Sequence, residues 1–156
     1  MPDPLSIAVI DCLQNAVSLH LTAIEHYVTV AEHLGRIGYG KLSARFRSEA
    51  DDEREHLSAV LARLEFFGVQ PAYNHAPPAW PRYDVPGILT ASLTLEQAAA
   101  TAERQHVTES RAAGDEGSAV VFATLLAGSE ESIRQIEADQ MLIGQMGLDN
   151  WLSLQT

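Results

Sequence analysis

The chain has 156 residues, 46% of them hydrophobic and 20% charged, with a formal charge of −11. That length and mixture fit one globular domain over residues 1–156 and exclude a disordered or fibrous chain. The negative charge argues against nucleic acid or an anionic membrane as partner and suits the attraction of cations, while a lone cysteine, Cys12, excludes a disulfide framework and a cysteine-based zinc site.

In chain order, the N-terminal segment has no positive stretch before its short apolar run, so no signal peptide is expected. No stretch approaches about 18 uninterrupted apolar residues, so no membrane span is expected either, and the protein reads as cytoplasmic. A first helix is predicted over 5–36, starting near Pro4 with Asp3 or Ser6 as its cap. Apolar residues recur there at three- and four-residue spacing: Ile10, Leu13, Val17, Ile24, Tyr27, Ala31 and Leu34, with His20 holding one place in the stripe. Gly35, Gly38 and Gly40 mark a turn. A second helix, over 40–67, has the stripe Leu42, Phe46, Val60, Leu64 and Phe67, interrupted by Glu49, Glu53 and His56.

Between Gly68 and Pro86, five prolines rule out a helix. A connection of about 20 residues is uncommon in a compact domain and long enough to run the length of a bundle, which would make helices two and three parallel. A third helix is predicted over 86–113 and a fourth over 116–146, started by Asp115 or Ser118. A last turn is predicted over Leu148–Leu152. The expected architecture is all-α: a four-helix bundle with a long crossover between helices two and three and a short C-terminal turn.

The unusual feature is the polar content of the core stripes. Glu49, Glu53 and His56 point inward together from helix two, His20 from helix one, and Glu96 and Glu103 share one face of helix three. Helix four places Ser129 and Ser132 on its inner face. Buried carboxylates and imidazoles must pair or bind metal, because leaving them unpaired costs several kcal/mol. Two Glu-x-x-His segments are present, Glu53–His56 and Glu103–His106, a spacing that offers both ligands from one helical face. For His20, Glu53, His56 and Glu96, a metal site and a metal-free hydrogen-bonded network stand side by side. Glu103 is expected to pair with Arg63. His26, His33 and His75 are expected in solvent, and Asp51, Asp52 and Glu55, with Glu49, read as a wet acidic face.

Several stretches resemble bacterioferritin, within the ferritin superfamily: Leu21 to Ile24 with Tyr27, Glu49 with Asp52, Glu53 and His56, Phe66 to Pro71, Leu93 to Glu96, and Met141 to Leu152. The resemblance runs without a gap from about Leu5 to Leu152. It implies a di-iron centre of four carboxylates and two histidines. Of those ligand positions, Glu53, His56 and Glu96 keep the expected residue. The lone carboxylate of helix one falls on His20, and the second Glu-x-x-His pair falls on Ser129 and Ser132. The haem-binding methionine falls on Arg54, so haem is not expected.

Counted from Glu53 and Glu96 alone, two carboxylates balance one divalent ion and not two. Glu130 and Glu131 are turned away from the stripe and do not replace Ser129. The resemblance therefore implies an iron-handling, metal-binding protein with a mononuclear centre of His20, Glu53, His56 and Glu96, taking Fe, Zn or Mn, with Tyr27 orienting Glu96. Any activity would be ferroxidase-like at best, and weak or absent. The alternative is a non-catalytic structural subunit that dimerises or co-assembles with a complete ferritin-like partner. A third possibility is that the serine side admits a small ligand. Expected partners are metal ions and other copies, as a homo-oligomer or a mixed ferritin assembly. Only Leu152 to Thr156 remain where the family's fifth helix lines the cage axis.

Overall fold

The computed structural model describes residues 4–79 and 83–156, with side chains in the first helix from Ile7 onwards. Five helices follow one another: α1 (Pro4–Arg36), α2 (Gly40–Phe66), α3 (Val85–Ala112), α4 (Glu116–Met146) and α5 (Leu148–Ser153). No strand occurs among the described residues. The four long helices agree with the sequence expectation to within a residue or two, and α5 is the expected last turn. The cap expected from Asp3 or Ser6, like Pro81, lies outside the described side chains.

α1 packs on α2 and α3 on α4, each pair joined by a tight turn; α1 also meets α3, and α2 meets α4. Asp84 caps α3 by accepting from the Gly87 amide at 2.8 Å, and Asp115 caps α4 by accepting from Ser118 at 3.0 Å. The α3–α4 turn needs Gly114, whose φ of 74° suits a residue without a Cβ.

The crossover is tied to α1 by side chains spaced one turn apart. Gln14 Nε2 donates to the Gln70 carbonyl at 2.9 Å, Ser18 Oγ to Asn74 and Thr22 Oγ1 to Ala76, both at 2.7 Å. Farther along, His33 Nε2 meets the Tyr83 carbonyl at 3.0 Å. A proline-rich segment cannot satisfy its own carbonyls in a helix, and α1 does so instead. The segment thus returns along α1 from the end of α2 to the start of α3, so α2 and α3 run parallel.

The core consists of two apolar clusters. One gathers Tyr27, Val30, Leu34, Leu42, Phe46, Ile88, Leu89, Ile136 and Trp151. The other gathers Val9, Leu13, Val17, Val60, Leu64, Phe122 and Leu125. On every long helix the residues between them are polar and buried: His20 on α1, Glu53 on α2, Glu96, Glu103 and His106 on α3, Ser129 on α4. Burying each large apolar side chain contributes about 1.5–3 kcal/mol, so two such clusters can offset a polar layer that costs several kcal/mol. By length and composition α1 is also apolar enough to cross a membrane, with a mean hydropathy of 1.4 over its best window. No uninterrupted apolar run announced this. In the bundle Leu13, Val17, Val30 and Leu34 are buried between helices.

Candidate metal centre

The polar layer is most organised where α1 faces α2. Glu53 and His56 lie three residues apart on one face of α2. His20 Nδ1 is 2.6 Å from Glu53 Oε2, and His56 Nδ1 is 3.6 Å from Glu53 Oε1. One ligand atom from each of the three lies within 4.8 Å of the others. Burial alone would push the Glu53 carboxyl up, but the bonds from His20 and His56 outweigh it and hold it down at about 2. The ionised carboxylate accepts, so His20 donates from Nδ1–H. Burial pulls the His56 ring down, and its bond to Glu53, helped by the charge of Glu103, wins and raises it.

Glu96 faces this group from α3 and is fully buried. The Tyr27 hydroxyl donates to its Oε1, whereas Oε2 has no hydrogen-bond partner. Burial and the charge of Glu53 push its carboxyl up to about 8, against the Tyr27 bond. The structure thus brings His20, Glu53 and His56 together, with Glu96 facing them but outside the group that meets within 4.8 Å.

Sequence reasoning misassigned the second Glu-x-x-His pair. Glu103 is 1% exposed and His106 6%. Arg63 does not reach Glu103: its Nη2 donates to Asp115 at 3.0 and 3.2 Å, and its Nε donates to Ser118 at 3.1 Å. Asp115 caps α4 beside Arg63, while Glu103 lies two turns beyond Glu96 on the same inner face. Burial raises the Glu103 carboxyl to about 7 although the nearby Ser129 hydroxyl offsets part of that. Neither Glu103 oxygen has a partner at full hydrogen-bond geometry. His106 is driven down to about 4 by burial. The signal that could have found the pair was the seven-residue step from Glu96.

His26 is a second correction, being 1% exposed rather than solvated. Its Nε2 lies 2.8 Å from Ser92 Oγ, and that hydroxyl donates to the Ile88 carbonyl at 2.9 Å, so the imidazole Nε2–H is the donor. α1 is covered by α3 as well as α2, which widens its buried face beyond one stripe. His75 is also partly covered, with Nε2 2.8 Å from Glu25. Asp51, Asp52 and Glu55 are exposed, but Glu49 is half-buried and accepts from Ser132 Oγ at 2.9 Å.

On the α4 side the centre is walled by small residues. A Cβ on Gly128 would lie 2.9 Å from His56 Cε1, so only glycine lets the ring pack this close. A cavity of ≈ 150 Å³ opens from Glu53 and His56 past Ser132 to Glu49, Asp52, Glu55 and Glu131, giving cations a path lined by carboxylates. Glu130 and Glu131 face outward to Arg104 and Arg134. Arg54, where a haem ligand would stand, is exposed and paired with Asp51.

Two antiparallel helix pairs, a long parallel-making crossover and a layer of carboxylates and histidines at mid-bundle define the ferritin-like class. The ferritin-like domain family matches residues 10–141, and the chain belongs to it. Over 145 residues it is 29% identical to a bacterioferritin of Streptomyces coelicolor, covering 93% of this chain and 87% of that protein. It is 26% identical to a bacterioferritin of Mycobacterium leprae, over 89% of this chain and 87% of the relative. A bacterial ferritin of Pseudomonas aeruginosa is 28% identical, over 94% and 96%.

The donor set suits a divalent first-row metal. Two imidazoles and a carboxylate are borderline ligands for Fe(II), Zn(II) or Mn(II). His20 Nε2 and Glu96 Oε2 are buried without partners. An imidazole bound to a carboxylate through one nitrogen and bare at the other is the usual arrangement of a metal-binding histidine.

Proposed function

We propose that this protein handles iron in the cytoplasm as a bacterioferritin-like protein with an altered centre. One divalent ion is held tightly by His20, Glu53 and His56, with Glu96 as the further carboxylate. The observation that carries this is the trio of ligand atoms within 4.8 Å of one another in a buried layer. Glu53 holds His20 and His56 in place, and Tyr27 orients Glu96. Ser129 and Ser132 offer neither the carboxylate nor the imidazole of a paired-iron centre, so Fe(II) oxidation by two adjacent ions is weak or absent. Haem has no thioether ligand at Arg54.

A structural, co-assembling role is favoured by a separate observation. Met141, Leu142 and Met146 at the end of α4 and Leu154 after α5 are exposed apolar residues that an oligomer would cover. The domain is one unit over residues 1–156. Elemental analysis after purification without added metal, with a native mass measurement, tests both roles. The expected result is one tightly held divalent ion per chain in an oligomer. An oligomer free of metal that also takes up none when Fe(II) or Zn(II) is supplied would leave only the structural role.

A further inference from the structure

The pair Glu103 and His106 is not used by the centre described above. Counting Glu53 and Glu96 alone limited the core to one divalent ion, but Glu103 acts electrostatically on Glu53, Glu96 and His56, and Glu49 acts on Glu53 and Glu96. The layer therefore carries four carboxylates, enough to balance two divalent ions.

The α3 side also holds donor atoms with nothing bound to them. Neither Glu103 oxygen has a partner at full hydrogen-bond geometry, although the nearby Ser129 hydroxyl stabilises that carboxylate, and His106 Nδ1 has none, on residues 1% and 6% exposed; on α1, His20 Nε2 is also without a partner, on a residue 3% exposed. Unsatisfied buried polar atoms are rare, and several in one layer of one bundle call for a ligand. Glu103 and His106 are three residues apart, so α3 presents both from one face as α2 presents Glu53 and His56. Across from Glu103, α4 offers only Ser129, whose small side chain leaves room.

We propose that Glu103 and His106 hold a second divalent transition-metal ion, α3 supplying the Glu-x-x-His pair that α4 lacks at Ser129 and Ser132. This rests on the metal-binding reading of the polar layer and extends it to a second position. The second ion binds more weakly, because its ligand atoms do not already meet within 4.8 Å as those of the trio do. Glu103 and His106 must shift rotamer to converge.

Zinc titration of the metal-stripped full-length protein by calorimetry, with anomalous maps of zinc-soaked crystals, tests this. Wild type is expected to bind two ions, one tight and one weaker, the weaker giving a peak at the Glu103 carboxylate. Losing even a supporting group costs about 10–100-fold in metal affinity, so Glu103→Gln and His106→Gln should each weaken the second ion by at least about tenfold. The tight ion should change less than about threefold. Glu103→Gln keeps the shape of the side chain and removes a buried charge, so the fold is retained. One tight ion in wild type, unchanged by either substitution, overturns this inference and leaves the trio intact. Zinc absent from the layer altogether overturns the metal reading itself. Two ions with the weaker one insensitive to both substitutions, or with no peak at Glu103, places the second ion elsewhere and overturns the assignment.

Discussion

On the α1–α2 side, Glu53 accepts a hydrogen bond from His20 and lies 3.6 Å from His56, and the two histidines hold it ionised. On the α3–α4 side, Glu96, Glu103 and His106 are as deeply buried but carry bare atoms, and burial keeps both carboxyls protonated into the neutral range. The same residue types thus exist in two states of organisation within one layer of the bundle. Opposite charges at hydrogen-bond distance stabilise each other and fix rotamers. Carboxyls that face mainly other carboxyls and neutral hydroxyls are not stabilised in this way, and their charge is supportable only once a proton or a cation is present.

The largest effect should come from breaking the organised half. Glu53→Ala removes the one group that both histidines contact, and tight metal binding should be abolished by calorimetric titration. The metal-free fold should also lose about 3–5 kcal/mol, as when one partner of a buried pair is removed. Retention of a tight ion would mean that the two halves do not differ in the way described.

A smaller effect sharpens the boundary between the halves. Gly128→Ala sets a Cβ 2.9 Å from His56 Cε1, so the ring must shift from the position it holds beside Glu53. The ring end is the mobile part of that side chain, so stability should fall by less than about 1.5 kcal/mol. Metal affinity should fall about tenfold or more, as when supporting groups are disturbed. Unchanged affinity would show that His56 is not held against α4.

A further effect, on stability alone, lies outside the centre, at the α1–α3 contact. Burial depresses the His26 pKa from 6.5 to about 4. Unfolded chain takes up a proton on His26 below pH 6.5 and folded chain does not, so this stability is present above that value and is lost as pH falls towards 4. At about 1.4 kcal/mol per unit, the loss is at most about 3 kcal/mol. His106 acts in the same sense over the same window, whereas the raised Glu96 and Glu103 destabilise the metal-free fold progressively as pH rises from 4.5 towards about 8 and about 7 respectively. In denaturant unfolding of metal-free protein, the difference between wild type and His26→Gln should narrow as pH falls from 6.5 to 4. A constant difference would show that burial does not hold the ring neutral.

Sequence alone determined the helices, because period and breakers are local: stripes at three- and four-residue spacing, the prolines from Pro71 to Pro86, and Asp115 or Ser118 at the start of the fourth, whereas the Asp84 cap of α3 came only from the structure. It also placed His20, Glu53, His56 and Glu96 on inward faces, and the Tyr27 hydroxyl against Glu96, since inward positions on one stripe face a common interior. What it could not determine was which inward group meets which. Arg63 was expected to meet Glu103, and only the packed ends of α2 and α4 showed that it meets Asp115 instead. His26 sat beside the stripe of α1, and only the second covering helix, α3, buried it against Ser92. Side-chain direction follows from the period of one helix, but pairing depends on the angle and depth at which two helices pack. That is why three ligands on α1 and α2 converge while the donors of α3 remain open.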